Sequence, residues 1–185
     1  MPADRHVPGN FRQVLSAEEL ESVVRRLAAT LTPWALEVET KSQQPVLGLC
    51  VLRGAFLFFS DLLKAIPTSI QPAFIQCRSY ATTEVLQPED GVRVSLEDFD
   101  CQGRHVLLVD DICDTGRTLA VVKSRLLAHL AAEVRTCVLI HRGRPDSVFT
   151  PDLVGLPYHG PEWFVGYGMD DRHRYMNYPA VYVIA

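Results

Sequence analysis

VLLVDDICDTGRTL, residues Val106 to Leu119, decides how this chain folds. The unbroken apolar run Val106–Val109 predicts a parallel strand covered on both faces. Asp110 and Asp111 follow at its carboxyl end, where open α/β sheets bind ligands. Asp114-Thr115-Gly116-Arg117-Thr118 then feeds a helix running to about Leu130, with Asp114 or Thr115 as the expected N-cap. A glycine turn into a helix start presents backbone N–H groups and the positive end of the helix dipole, which together cradle a phosphate. Three carboxylates beside a phosphate repel it, unless a divalent cation or a cationic transition state lies between them.

Outward from that motif, strand and helix patterns alternate. Ser16 and Glu19 form an S-x-x-E capping box, and Leu20, Val23, Val24, Leu27, Ala28 and Leu31 follow at helical spacing until Pro33, the expected stop. Val46–Leu52 is a second buried strand. Arg53-Gly54-Ala55 turns into a helix whose inner face should carry Phe56, Phe59, Leu62, Leu63 and Ile66. Pro72–Ser79 reads as a strand centred on Phe74 and Ile75. Residues from Tyr80 to about Val94 show no period, which points to a functional loop. In the helix after the main motif, Val121, Val122, Leu126, Leu127 and Leu130 are apolar. Val134–Ile140, Asp152–Leu156, Trp163–Tyr167 and Val181–Ile184 read as further strands. The alternation predicts a parallel sheet with helices on both faces.

The chain has 185 residues, 48% hydrophobic and 22% charged, which fits one globular domain. A net charge of −4 does not recommend nucleic acid as a partner, though it leaves room for a local basic patch. No apolar run reaches the roughly 20 residues that cross a bilayer, and Met1–Phe11 is polar, so a cytoplasmic protein without a membrane partner is expected. Cys50, Cys77, Cys101, Cys113 and Cys137 are odd in number and contain no C-x-x-C pair, which favours buried free thiols. Cys113 lies inside the ligand loop and is a candidate for oxidation.

The segment Val106–Leu119 resembles the phosphoribosyl-diphosphate (PRPP) binding motif of the type I phosphoribosyltransferases: a hydrophobic run, two acids, then D-T-G-x-T. Two further blocks resemble the hypoxanthine–guanine group of that family. LRGAFLFFSDLL, Leu52–Leu63, is similar to its L-K-G-x-x-x-F-x-x-D-L. Trp163-Phe164-Val165-Gly166-Tyr167-Gly168-Met169-Asp170 is similar to its F-V-V-G-Y-G-L-D. Ser79-Tyr80 resembles the pair that opens the family's catalytic loop. The resemblance covers about Ser16 to Ile184. It implies an α/β fold in a single domain, residues 1–185, with a mainly parallel twisted sheet flanked by helices and a small base-binding hood. Residues 1–14 are then flexible or hood-associated.

The resemblance also implies residue roles. Asp110 and Asp111 hold the ribose hydroxyls and Mg²⁺. Thr115, Gly116, Arg117 and Thr118 cradle the 5′-phosphate. Leu52, Arg53 and Gly54 bind diphosphate around a cis peptide at Leu52–Arg53. Asp114 is the catalytic base, Trp163 stacks on the base, Ile112 and Phe164 line its pocket, and Asp170 reaches the metal. Two positions depart from the family. Its base-contacting lysine aligns with His141, with Arg142 a nearby substitute. Its diphosphate-binding arginine aligns with Met176, where Arg172 or Arg174 could serve instead.

The implied reaction is purine salvage: PRPP plus hypoxanthine or guanine gives the nucleoside 5′-monophosphate and diphosphate, in a homodimer or homotetramer. Two rivals remain open at the level of sequence. One is a PRPP-binding regulator of the pyrimidine attenuation type, which carries a similar motif and a D-R-G near His141-Arg142-Gly143. The other is a catalytically weak homologue with altered base specificity.

Overall fold

Residues 7–79, 92–94 and 99–185 are described by the computed structural model of the chain. In chain order the elements are β1 (Phe11–Leu15), α1 (Ala17–Ser42), β2 (Val46–Leu52), α2 (Phe56–Ala65), β3 (Ile70–Ser79), β4 (Val92–Val94), β5 (His105–Cys113), α3 (Arg117–Ala128), β6 (Glu133–Arg142), β7 (Leu153–Tyr158), β8 (Trp163–Val165) and β9 (Val181–Ile184). The main sheet runs β4-β3-β2-β5-β6-β7. All its pairings are parallel except that of β4 on the edge of β3. A second sheet, β1-β9-β8, is antiparallel and forms the small hood. None of the described helices is long and apolar enough to cross a membrane.

The apolar strands are buried on both faces, as their uninterrupted composition requires. Val46 and Cys50 of β2, Leu107 and Val109 of β5, and Cys137 and Leu139 of β6 face a core shared with α1, α2 and the hood. Their neighbours Leu47, Leu49, Val51, Val106, Leu108, Val134 and Val138 face a second core beneath α3. This is the two-residue period of a strand read out on two covered faces.

Helix α1 corrects one expectation. Its N-terminus is as read: Ser16 accepts from the Glu19 N–H, and the Glu19 carboxylate accepts from the Ser16 N–H. Pro33, however, lies inside the helix, which continues to Ser42. Proline removes one hydrogen bond and crowds the preceding turn, at a cost of about 3 kcal/mol. Beyond it, Trp34, Ala35 and Val38 are buried, and the Trp34 indole donates to Glu133 at 2.9 Å. A buried tryptophan hides ~150–250 Å², or about 4–6 kcal/mol of apolar burial, so packing outweighs the local break.

Smaller differences share one cause, the choice of face. In α2 the buried side chains are Phe58, Phe59 and Leu62, while Phe56 is exposed. In β3 Ile75 is buried and Phe74 exposed. In α3 Leu119, Val122 and Leu126 point inward and Leu127 is exposed; the helix ends at Ala128, so Leu130 lies beyond it and is exposed. The α3 N-cap is Gly116 rather than Asp114 or Thr115. The strand expected over Trp163–Tyr167 ends at Val165, because Tyr167 has a positive φ of 49°. Strand β1 had no sequence forecast; it exists by pairing with β9 at the far end of the chain.

From β2 the chain moves outward to β3, then returns across β2 to β5 and continues outward to β6 and β7. Strand order therefore reverses between β2 and β5. The loops leaving these two strands diverge and open a crevice there, where α/β sheets place ligands.

Candidate active site

The crevice brings together the ends of β2 and β5 under the hood loop that follows β8. Asp110 is buried, and its Oδ1 accepts the Asp111 N–H at 3.0 Å. Burial pushes the Asp110 carboxyl well above the usual carboxylate range, and the Asp111 charge adds to this. Burial raises Asp111 as well, with a further contribution from the charge of Asp170. A cation or a set of hydroxyl donors beside the two carboxylates would favour their charged form. The fit against β2 is close: a Cβ on Gly54 would lie 1.9 Å from Asp111 Oδ2. The peptide Leu52–Arg53, which leads into that glycine, is cis.

The turn from β5 into α3, expected to cradle a phosphate, is built on a glycine. Gly116 adopts φ 77° and starts α3 without a side-chain cap, so the first-turn N–H groups meet no competing side-chain acceptor. A Cβ at Gly116 would lie 2.5 Å from that of Phe149. The loop is braced from the same side by the Val148 N–H, which donates to the Thr115 carbonyl at 2.9 Å.

Beside this loop lies a cavity of about 410 Å³ lined by Gly54, Asp111, Ile112, Asp114, Arg142, Trp163, Phe164, Met169 and Asp170. Trp163 is 61% exposed, and its indole N–H is fixed on the Asp170 carbonyl at 2.9 Å. Phe164 is buried against Tyr158. The Arg142 guanidinium lies over the Phe164 ring, 5.1 Å from its centroid. Arg142 donates to the Gly160 carbonyl and, at 2.9 Å, to the Glu162 carbonyl. Its buried Nε has no hydrogen-bond partner and sits 3.4 Å from Asp114 Oδ1. Arg144 approaches the same oxygen at 3.7 Å.

A second cavity, also about 410 Å³, adjoins the first and is lined by Leu52, Arg53, Gly54, Gln76, Cys77 and Asp170. At its rim Arg53 Nη2 is 2.9 Å from His173 Nδ1. The His173 N–H donates to Asp170 Oδ2 at 2.6 Å. A larger groove of about 560 Å³, between α1, α2 and the segment 177–179, holds charged pairs that satisfy one another, Glu21–Arg25 and Asp61–Lys64.

Most sequence-predicted residues meet in the two adjoining cavities and the phosphate loop. Two do so differently. His141 does not line the base cavity; its Nε2 is buried without a protein partner, and Arg142 occupies the cavity wall. Successive strand side chains point to opposite faces, so only one of the two can reach the crevice. Asp110, expected on the ribose and the metal, lines neither cavity and lies behind Asp111. Burial pushes the Cys113 thiol up to about 11, with Asp110 and Asp114 adding to the shift, which keeps it unreactive near neutral pH. Ser79 ends β3, paired with Val92; Tyr80 and the loop it opens lie outside the described residues. Sequence reasoning missed Arg144 and His173, which carry no motif of their own.

The acids suit a magnesium ion of a particular kind. Among the described residues no three metal-type side chains converge on one point. Mg²⁺ takes one or two carboxylates from a protein when substrate phosphates complete its shell, and Asp111 and Asp170 offer that donor set.

A parallel sheet whose strand order reverses, with an acidic pair and a glycine-started helix at the crevice, places the chain among α/β proteins that bind ligands at a switch point. The chain belongs to the phosphoribosyl transferase domain family, whose model matches residues 12–172. It is 31% identical over 177 residues to the hypoxanthine-guanine phosphoribosyltransferase of Aquifex aeolicus, covering 94% of both chains. It is 30% identical over 178 residues to the hypoxanthine-guanine-xanthine phosphoribosyltransferase of Tritrichomonas foetus, covering 94% of this chain and 91% of that one. The Trypanosoma cruzi hypoxanthine phosphoribosyltransferase, solved with the product IMP, superposes with a TM-score of 0.83 at 25% identity, covering 98% of each chain.

Proposed function

We propose that this protein transfers the phosphoribosyl group of PRPP to hypoxanthine or guanine, giving the nucleoside 5′-monophosphate and diphosphate. The observation that carries this reading is the cavity in which Arg142, Asp114 and Trp163 face one volume beside the Gly116 phosphate loop. A 6-oxopurine presents an acceptor oxygen, a neighbouring ring nitrogen and a flat apolar face, and the cavity has a counterpart for each.

The backbone N–H groups of Thr115 to Thr118 and the Thr118 hydroxyl receive the 5′-phosphate. Asp111, held by Asp110 behind it, orients the ribose hydroxyls, and the acidic pair favours the positive charge that develops on the sugar. Trp163 covers the base, a contact of about 1–3 kcal/mol. The Arg142 guanidinium on the cavity wall donates to the 6-oxo oxygen. Asp114 takes the proton at N7 as the bond from N9 to the sugar forms and the bond to diphosphate breaks, a role that typically contributes about 10²–10⁴-fold. Asp111 and Asp170 would hold a Mg²⁺, which when bound neutralises the leaving diphosphate. Assembly as a homodimer or homotetramer belongs to the same proposal; the exposed Phe56 and Phe74 support it, and sedimentation velocity tests it.

The deciding experiment is steady-state turnover with PRPP and Mg²⁺ across hypoxanthine, guanine, adenine and uracil. Turnover with the two 6-oxopurines and little with adenine is expected. A preference for adenine or uracil, or binding of PRPP with no transfer to any base, would refute the proposal.

A further inference from the structure

The second cavity poses a charge problem. Diphosphate carries several negative charges, yet among the described lining residues Arg53 is the one cation, and Asp170 is an anion beside it. The family arginine expected at this point aligns with Met176, whose carbonyl accepts the Gly168 N–H at 2.9 Å. The two arginines that could have substituted are exposed, and the Arg174 guanidinium lies over the Tyr175 ring, 4.8 Å from its centroid. The side chain that reaches the cavity rim from this loop is His173.

Its tautomer follows from its partner. Arginine only donates, so in the 2.9 Å contact His173 Nδ1 is the acceptor and the ring proton sits on Nε2. The backbone N–H of His173, bonded to Asp170 Oδ2, holds the residue in place. Arg53 and His173 therefore occupy each other. An anion that takes the Arg53 N–H groups breaks that bond, and the imidazole can turn and donate an N–H to the same anion.

We propose that His173 is a diphosphate-binding residue, paired with Arg53 and doing the work of the arginine absent at Met176. The proposal rests on the phosphoribosyl transfer reading above. It assigns to this chain a binding group that its family motifs do not contain.

The test compares wild type, His173→Ala and Arg174→Ala. Titration calorimetry with inorganic diphosphate and Mg²⁺ reads binding directly, and transfer kinetics read KM for PRPP and for hypoxanthine. His173→Ala should weaken diphosphate binding and raise the PRPP KM by about tenfold or more, the scale of a hydrogen bond to a charged group. The hypoxanthine KM should stay within about twofold, and Arg174→Ala should behave as wild type. Equal diphosphate affinity in wild type and His173→Ala, or an equal loss in Arg174→Ala, overturns the assignment. A wild-type protein that binds diphosphate but transfers nothing overturns the broader reading instead, and the His173 comparison in binding still decides this one.

Discussion

Arg142 is the sharpest point at which to press the structure. Replacing it with alanine removes three things at once. The base loses an N–H donor on a charged group, worth about 1.5–3 kcal/mol, so kcat/KM for hypoxanthine should fall about 10- to 150-fold. The carbonyls of Gly160 and Glu162 lose their donor, and the Phe164 ring loses the cation above it. A buried acceptor left unpaired costs about 1–3 kcal/mol. For a chain of this size, that lowers Tm by about 2–4 °C per kcal/mol. Arg142→Lys separates the two effects: one charged donor survives for the base, while a single ammonium cannot serve both carbonyls and the cavity. The lysine variant should therefore keep kcat/KM within about tenfold of wild type and still melt lower. His141→Ala supplies the opposite control and should leave kcat/KM nearly unchanged, because its ring is not on the cavity wall. Steady-state kinetics with thermal melts on the three variants decide the matter. If His141→Ala loses hypoxanthine turnover and Arg142→Ala keeps it, the assignment of the base-reading residue is wrong.

Asp114→Asn should bind PRPP as wild type does but lose about 10²–10⁴-fold in turnover; turnover near wild type would remove Asp114 as the base. Asp152 offers a pH test far from the chemistry. Burial raises its pKa, but the Thr136 hydroxyl and N–H, both at 2.8 Å, and Lys123 lower it further, so the net shift is downward. A carboxyl depressed in the folded state contributes stability above its unfolded pKa and loses it as pH falls through the folded value. Asp152→Asn should thus melt below wild type at neutral pH, with the gap closing as pH drops below the ordinary carboxylate range. A gap that widened in acid would contradict this reading of the Thr136 contacts.

The main sheet was legible because its strands are short apolar runs bounded by turn residues; β2 begins and ends where the composition changes, as β9 does in the hood. What failed was local. Pro33 ends a helix only if nothing beyond it is worth burying, and Trp34 packs against a strand almost one hundred residues away. The inward face of α2 differs from the forecast by a rotation that turns Phe56 out and Phe58 in. A helix of ten residues with apolar side chains on most sides does not encode which of them meets the sheet.

The site divides along the same line. Asp110 to Thr118 lie within nine consecutive residues, so one strand end and one helix start place them, and their spacing is their geometry. The base cavity is different, because it takes Gly54 from the loop after β2, Asp114 from the loop after β5, Arg142 from β6 and Trp163 from β8. Whether His141 or Arg142 faces it depends on the parity of a strand, and parity is set by the neighbours. Here Cys113 lies opposite His141, and Ile112 opposite Ile140. A one-residue change of register would exchange the two side chains without altering a single motif letter. The same holds for His173, whose position follows from Asp170 and from a turn with positive φ at residues 172 and 173, not from any sequence pattern. The motif residues, with side chains such as Asp114 and Trp163 among them, were therefore readable in the chain, whereas the choice between His141 and Arg142 and the placement of His173 became visible only once the fold had been laid out.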